Sequence, residues 1–265
     1  MNSTFQTAPW LAYSRISQTA RLRLFCFPYA GGGALIYRGW PSQFPVTIDV
    51  CPVQLPGRGT RLTEPLFKRI GPAVSAIAEA IKPLLDRPFA LFGHSMGALI
   101  SFELARLLRR EQGISPVHVM LSGRHAPQVE KEESVPYNLP EPEFLEKVSC
   151  LNGTPPDILK QPELLQLIVP LLRADFELCQ SYKPSAEAPL DCNVTAFGGL
   201  QDCEVKRPDL EAWKEHTSGA FSLRMLPGDH FFLNTSQQLL SRVVVQELNQ
   251  YVRTPAAGSA RAALY

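Results

Sequence analysis

Between the apolar run "PFALF" and the helix-period run "ALISFELARLLRREQ" lie five residues, Gly93-His94-Ser95-Met96-Gly97. A chain turning that sharply from strand to helix strains the backbone of the residue at the tip. It also drives the side chains two residues to either side against the strand and the helix. Glycine at both places removes the collision and leaves the Ser95 hydroxyl standing at the tip. The same turn sets Ser95 at a helix N-terminus, where unpaired N–H groups and the helix dipole favour negative charge.

The feature requires a strand before it and a helix after it, and the rest of the chain keeps that alternation. "RLRLFCFPY", "VTIDVCPVQ", "PFALFG", "VHVMLSG", "NVTAFGG" and "FSLRMLPG" read as strands. Between and after them, "ALIYRGWPSQF", "AVSAIAEAIKPLL", "GALISFELARLLRREQG" (ending at Gly113), "DLEAWKEHT" and "QQLLSRVVVQELNQYV" carry apolar residues at helical spacing. Six short strands without polar alternation, separated by helices, predict an α/β fold with a mostly parallel, doubly wound sheet. From about 136 to 185 the rhythm breaks into helical patterning alone, as in "PEFLEKVSCL" and "PELLQLIVPLLRADFELCQSY". An insertion there is expected to form a helical lid over the strand ends, where such sheets bind ligands. The whole of 1–265 is expected to be one domain, with a loosely held tail at about 254–265.

Composition narrows the function classes. A formal net charge of +1 over 265 residues offers no electrostatic footprint for nucleic acid or a membrane surface. No stretch approaches the roughly 20 apolar residues of a membrane span. The start "MNSTFQTAPWLAYSR" lacks a basic segment followed by an apolar one, and the six cysteines show no C-x-x-C pair. Reduced cysteines in a cytoplasmic protein are therefore expected.

A serine nucleophile needs a base and the base needs an orienting acid, in the chain order Ser, Asp/Glu, His on a sheet of this kind. Of the five histidines, His230 in "MLPGDHFFL" follows a late strand through a Pro-Gly turn, the position a base requires. His94 is expected to pack, His118 to sit in a strand, His125 to come too early in the chain, and His216 to lie on a solvated helix face. For the acid, Asp202 in "AFGGLQDCEV" stands just beyond a strand; Glu204 is a weaker rival, and Asp229, adjacent to His230, suits a turn. The developing oxyanion needs two N–H donors. Met96, directly after the nucleophile, supplies one, and Tyr29 or Ala30 in "FPYAGGG" the other. That glycine loop lacks both G-x-G-x-x-G and a P-loop lysine, which argues against phosphate binding. For Arg58 and Arg61 in "PGRGTR" the alternatives are contact with a phosphate or an acidic protein surface and a solvated or structural role, the latter favoured; Arg173 with Asp175 reads as a structural pair. These residues predict a serine hydrolase acting on an acyl compound.

Seven segments, "LFCFPYAGGG", "QLPGRGTR", "LFGHSMGAL", "LSGRHAP", "VPLLRADFELCQSY", "FGGLQD" and "LPGDHFFL", together resemble the type II thioesterases of the α/β-hydrolase superfamily. These are stand-alone editing enzymes that accompany nonribosomal peptide and polyketide synthases. The resemblance implies a Ser95, Asp202 and His230 triad and a lid around "PLLRADF" over a channel for a phosphopantetheine arm. It implies hydrolysis of aberrant or stalled acyl groups from acyl or peptidyl carrier proteins, by a monomer using no metal or dissociable cofactor. The other readings are a general carboxylesterase or acyl-CoA thioesterase, and a non-catalytic module that docks carrier proteins.

Overall fold

All six expected strands form, and all run parallel. The computed structural model describes residues 9–14, 16–131, 134–151, 153, 157 and 161–253, so the expected tail at about 254–265 lies outside the described residues. The strands are β1 (Leu22–Phe27), β2 (Ile48–Pro52), β3 (Phe89–His94), β4 (His118–Ser122), β5 (Asn193–Gly199) and β6 (Phe221–Leu226). Their order in the sheet is β2-β1-β3-β4-β5-β6. The register aligns Phe27 with Gly93, and His94 with Ser122. Strand order reverses once, between β1 and β3, so the loops leaving those two strands part and open a crevice at their carboxyl ends.

Helices cover both faces, because strands buried on two sides need two apolar covers. On one face, Phe25, Phe27, Leu91, Val119 and Val194 pack with α1 (Ile70–Ile81) and α2 (Met96–Gln112). On the other, Leu24, Phe92, Met120 and Phe197 pack against Tyr37, Trp40 and the last helix. Each fully buried phenylalanine contributes about 1.5–3 kcal/mol relative to exposure. Helix α2 stops where the sequence predicts: Gly113 takes a left-handed φ of 65°, and Ile114 N–H reaches back to the Leu108 carbonyl. The segment "ALIYRGWPSQF" differs from its expected helix. It forms two short 3-10 turns, Ala34–Tyr37 and Trp40–Ser42, interrupted at Gly39 and resumed with Pro41, whose missing N–H suits a turn start better than a helix interior.

Between β4 and β5 the chain makes α3 (Glu141–Cys150) and α4 (Pro162–Gln180), with no strand among the described residues there. Phe144, Val148, Val169 and Leu172 give this pair a small core apart from the sheet. After β5 come α5 (Arg207–Glu211), β6, α6 (Phe232–Thr235) and α7 (Gln237–Arg253). Arg21, just ahead of β1, donates to the Val252 carbonyl near the end of α7. Among the described residues, no helix is long and apolar enough to cross a membrane.

Candidate active site

Ser95 connects β3 directly to α2 with φ 53° and ψ −111°, a region that non-glycine residues avoid. Holding it there costs about 1–3 kcal/mol, supplied by the surrounding packing. Its own N–H donates to the Ser122 carbonyl at 2.7 Å, tying the turn to the neighbouring strand end. The two glycines act as the sequence predicts. A Cβ on Gly93 would overlap the Gly97 carbonyl, and one on Gly97 would overlap the Phe27 carbonyl at the end of β1.

Ser95, His230, Tyr29 and Ala30 line one cavity of about 150 Å³ at the carboxyl edge of the sheet. His230 is carried on the loop between β6 and α6, and its Nδ1 lies 2.9 Å from Asp202 Oδ2. Asp202 stands in the loop after β5, buried, and its Oδ1 accepts the N–H groups of Glu204 at 2.8 Å and Val205 at 3.0 Å. Burial by itself raises the Asp202 carboxyl. The hydrogen bond and charge of His230 and the two backbone donors outweigh it and hold the group below its ordinary value. Asp202 is thus an anion that fixes Nδ1 as the protonated nitrogen and leaves Nε2 as the basic one. Of the rivals, Asp229 takes the expected turn role, its Oδ1 accepting the Phe231 N–H, and Glu204 gives its backbone N–H to Asp202.

The loop after β1 completes the crevice. The Gly31 N–H donates to Asp175 at 2.7 Å and the Gly32 N–H to the Tyr29 carbonyl at 2.9 Å. Those two amides are committed, whereas Tyr29 and Ala30 donate no N–H bond among the described residues and both border the cavity. Opposite them, Met96 N–H is the first of α2 and has no intrahelical acceptor. The walls then divide by character. Arg124, His125 and Lys131 form a polar side, while Val148, Leu151, Leu172 and Phe176 from α3, its C-terminal end and α4 form an apolar one. No cluster of three or more His, Cys, Asp or Glu able to hold a metal occurs among the described residues.

Two features differ from the sequence-based expectation. His94 does more than pack: its Nδ1 lies 2.8 Å from Ser122 Oγ and its Nε2 lies 2.9 Å from the His230 carbonyl. A carbonyl only accepts, so Nε2 carries the proton and Nδ1 accepts from Ser122. Burial, with His230 nearby, brings the His94 pKa down to about 3. Asp175 also does not pair with Arg173. It makes a buried two-pronged bridge to Arg58, at 2.7 and 2.8 Å, while Arg173 donates to the Tyr137 carbonyl and lies over the Phe144 ring. Arg61 is structural too, held by Glu64 and stacked over Trp10.

The strand order, the helices on both faces and the serine turn after β3 make this an α/β-hydrolase fold. The chain belongs to the thioesterase domain family, whose model matches residues 22–246, and it is a hydrolase of thioesters. It is 47% identical to the linear gramicidin dehydrogenase LgrE of Brevibacillus parabrevis over 92% of this chain and 94% of that one. It is 44% identical to the gramicidin S biosynthesis protein GrsT of Aneurinibacillus migulanus, covering 92% and 95%. The first name attributes dehydrogenation to that protein; this chain has no G-x-G-x-x-G to seat a dinucleotide. Among solved structures, it superposes with a TM-score of 0.80 on RedJ, a thioesterase of the prodiginine pathway in Streptomyces coelicolor, at 39% identity over 86% of each chain. With BorB, a type II thioesterase of the borrelidin cluster, the TM-score is 0.81 at 30% identity over 92% and 98%. The resemblance to type II thioesterases drawn from the sequence is borne out.

Proposed function

We propose that this chain is a stand-alone type II thioesterase that hydrolyses acyl groups from the phosphopantetheine arms of carrier proteins in a nonribosomal peptide or polyketide synthase. The observation that carries the reading is the Asp202–His230 pair at 2.9 Å, facing the same cavity as the strained Ser95. His230 Nε2 takes the Ser95 proton as Oγ attacks the thioester carbonyl, and the carbonyl electron pair moves onto oxygen. The N–H of Met96 and that of Tyr29 or Ala30 hold this oxyanion. Its collapse expels the pantetheine thiolate, a good leaving group, which takes the proton from His230. A water activated by His230 then attacks the acyl-enzyme and releases the acid and Ser95. The steps call on no metal or dissociable cofactor.

The names of the gramicidin S and prodiginine relatives support the pathway class. The cavity supports short acyl groups: about 150 Å³ is the size that admits a benzene-sized guest. In this reading α3 and α4 are the lid, since their side chains form the apolar wall above Ser95.

The test is a panel of acylated carrier proteins, from acetyl upward, assayed for acid release beside matched acyl-CoA and oxygen esters. Faster release from the carrier proteins is expected, with fluorophosphonate labelling that disappears in Ser95→Ala. Preference for simple esters or free acyl-CoA would make the protein a general esterase or acyl-CoA thioesterase. No turnover and no labelling would make it a docking module.

A further inference from the structure

Asp175 projects from α4 toward the body of the protein, in the midst of the residues that wall the cavity. Leu172, one turn earlier, and Phe176, the next residue, line the chamber that holds Ser95. Asp175 grips the loop after β1: its Oδ2 accepts the Gly31 N–H at 2.7 Å. Arg58 closes the arrangement. Its Nη1 donates to Asp175 Oδ2 at 2.7 Å and to the Gly32 carbonyl at 3.0 Å, and its Nη2 to Asp175 Oδ1 at 2.8 Å. The guanidinium is itself held, through Nε, by the Pro56 carbonyl. Both side chains are buried, with 7% and 3% of their surface exposed.

Such a pair is costly to bury and adds little net stability over apolar residues of the same size. What it does supply is direction. The N–H of Gly31 shares a rigid plane with the Ala30 carbonyl. The Tyr29 carbonyl, coplanar with the Ala30 N–H, accepts the Gly32 N–H at 2.9 Å, and Arg58 holds the Gly32 carbonyl, so the planes on both sides of Ala30 are fixed and the direction of its N–H with them.

We infer that Arg58 and Asp175 are positioning residues for the oxyanion site: they hold the Tyr29–Gly32 loop so that its N–H aims at the developing charge. The inference rests on the serine mechanism proposed above. It joins the cavity roof to the catalytic loop, since one helix presents Leu172 and Phe176 to the acyl group and Asp175 to the loop. Neither Arg58 nor Asp175 touches the reacting atoms.

A short-chain alkyl trifluoromethyl ketone tests this directly. Ser95 Oγ adds to its carbonyl, giving a hemiketal whose oxyanion pKa is read by ¹⁹F NMR. Asp175→Asn and Arg58→Lys are expected to raise that pKa by about one unit or more. They are expected to lower kcat by roughly tenfold to a hundredfold while KM moves by less than about threefold, as expected for losing part of an oxyanion donor. Asp49→Asn breaks the buried Arg23–Asp49 pair behind the sheet's opposite end and serves as control: its melting temperature falls and its ¹⁹F titration does not move. If Asp175→Asn fails to fold, Arg58→Lys decides alone. A folded variant with lowered melting temperature and the parent titration overturns the inference. A parent protein that forms no hemiketal overturns Ser95 as nucleophile, and this inference with it.

Discussion

His94 Nε2 donates to the backbone carbonyl of His230 across 2.9 Å, so the residue before Ser95 holds the loop that carries His230. The two are 136 positions apart in the chain. Ser122 completes the support by donating its hydroxyl to His94 Nδ1 at 2.8 Å, and its carbonyl receives the Ser95 N–H. One strand end thereby fixes the backbone of Ser95 and, through His94, the backbone of His230.

Replacing His94 with phenylalanine keeps a flat aromatic ring, one atom larger, and removes both hydrogen bonds. The Ser122 hydroxyl and the His230 carbonyl lose their partner, at a cost of about 1–3 kcal/mol. Turnover is expected to fall roughly tenfold through looser placement of His230. Urea denaturation and kcat on one acyl-carrier substrate check the two effects; an unchanged kcat would reduce His94 to packing.

Acid should weaken the fold in a defined window. The His94 pKa is about 3 in the folded protein, against about 6.5 in an unfolded chain. Between those values the unfolded chain takes up a proton that the folded one refuses, so stability falls as pH is lowered. His118, brought down to about 4 by burial, acts in the same direction. Asp202, held low when folded, adds its loss only as the pH drops further, through the carboxylate range. Stability against pH should slope less steeply in His94→Phe, by up to about one proton over pH 4.5–6.

The strain at Ser95 separates two inactive variants. Alanine keeps the unfavourable φ of 53°, whereas glycine relieves it. Ser95→Gly is expected to be more stable than Ser95→Ala by about 1 kcal/mol, both without turnover. Equal denaturation midpoints would show that the turn stores no strain.

Two glycine-to-alanine changes should move in opposite directions. At Gly93 the added Cβ meets backbone that cannot shift, and a loss of more than about 4 kcal/mol or failure to fold is expected. At Gly39, with φ −85° and ψ −12°, an added Cβ meets nothing nearer than 3.7 Å, and the change should stabilise by about 0.4–1 kcal/mol. Thermal melts of the two variants against the parent decide it.

Phe176 bounds the apolar wall of the cavity and packs edge-on against Phe144. Trimming it to alanine lengthens the chamber. The ratio of kcat/KM for a chain two or three carbons longer to that for acetyl should rise by about 10-fold or more. A ratio that stays fixed would place the acyl chain elsewhere.

That Ser95, Asp202 and His230 come together at one edge of the sheet was legible because each stands where a strand-like run gives way to a glycine-marked turn, a signal carried by a few adjacent residues. The elbow glycines were legible for the same reason. The Arg58–Asp175 bridge was not, because its partners are 117 positions apart and only folding brings them together. Arg173 was the natural partner by proximity, yet residues two apart on a helix point to different sides. His94 was legible as buried and not as a support, since nothing beside it in the chain announces Ser122 or the His230 carbonyl. His216 was expected in water; it is half-buried against Phe102 and Trp213 and bonds Gln128.

Parallel strands have a practical corollary. Ser95, Asp202 and His230 all stand at the carboxyl edge of the sheet, while Arg21, at the opposite edge, fastens the Val252 carbonyl. A fluorophore or affinity handle attached on the last turn of α7 therefore sits at the edge away from the cavity. There it leaves the cavity rim around Ser95 clear, so binding of a candidate carrier protein can be tested without obstructing it.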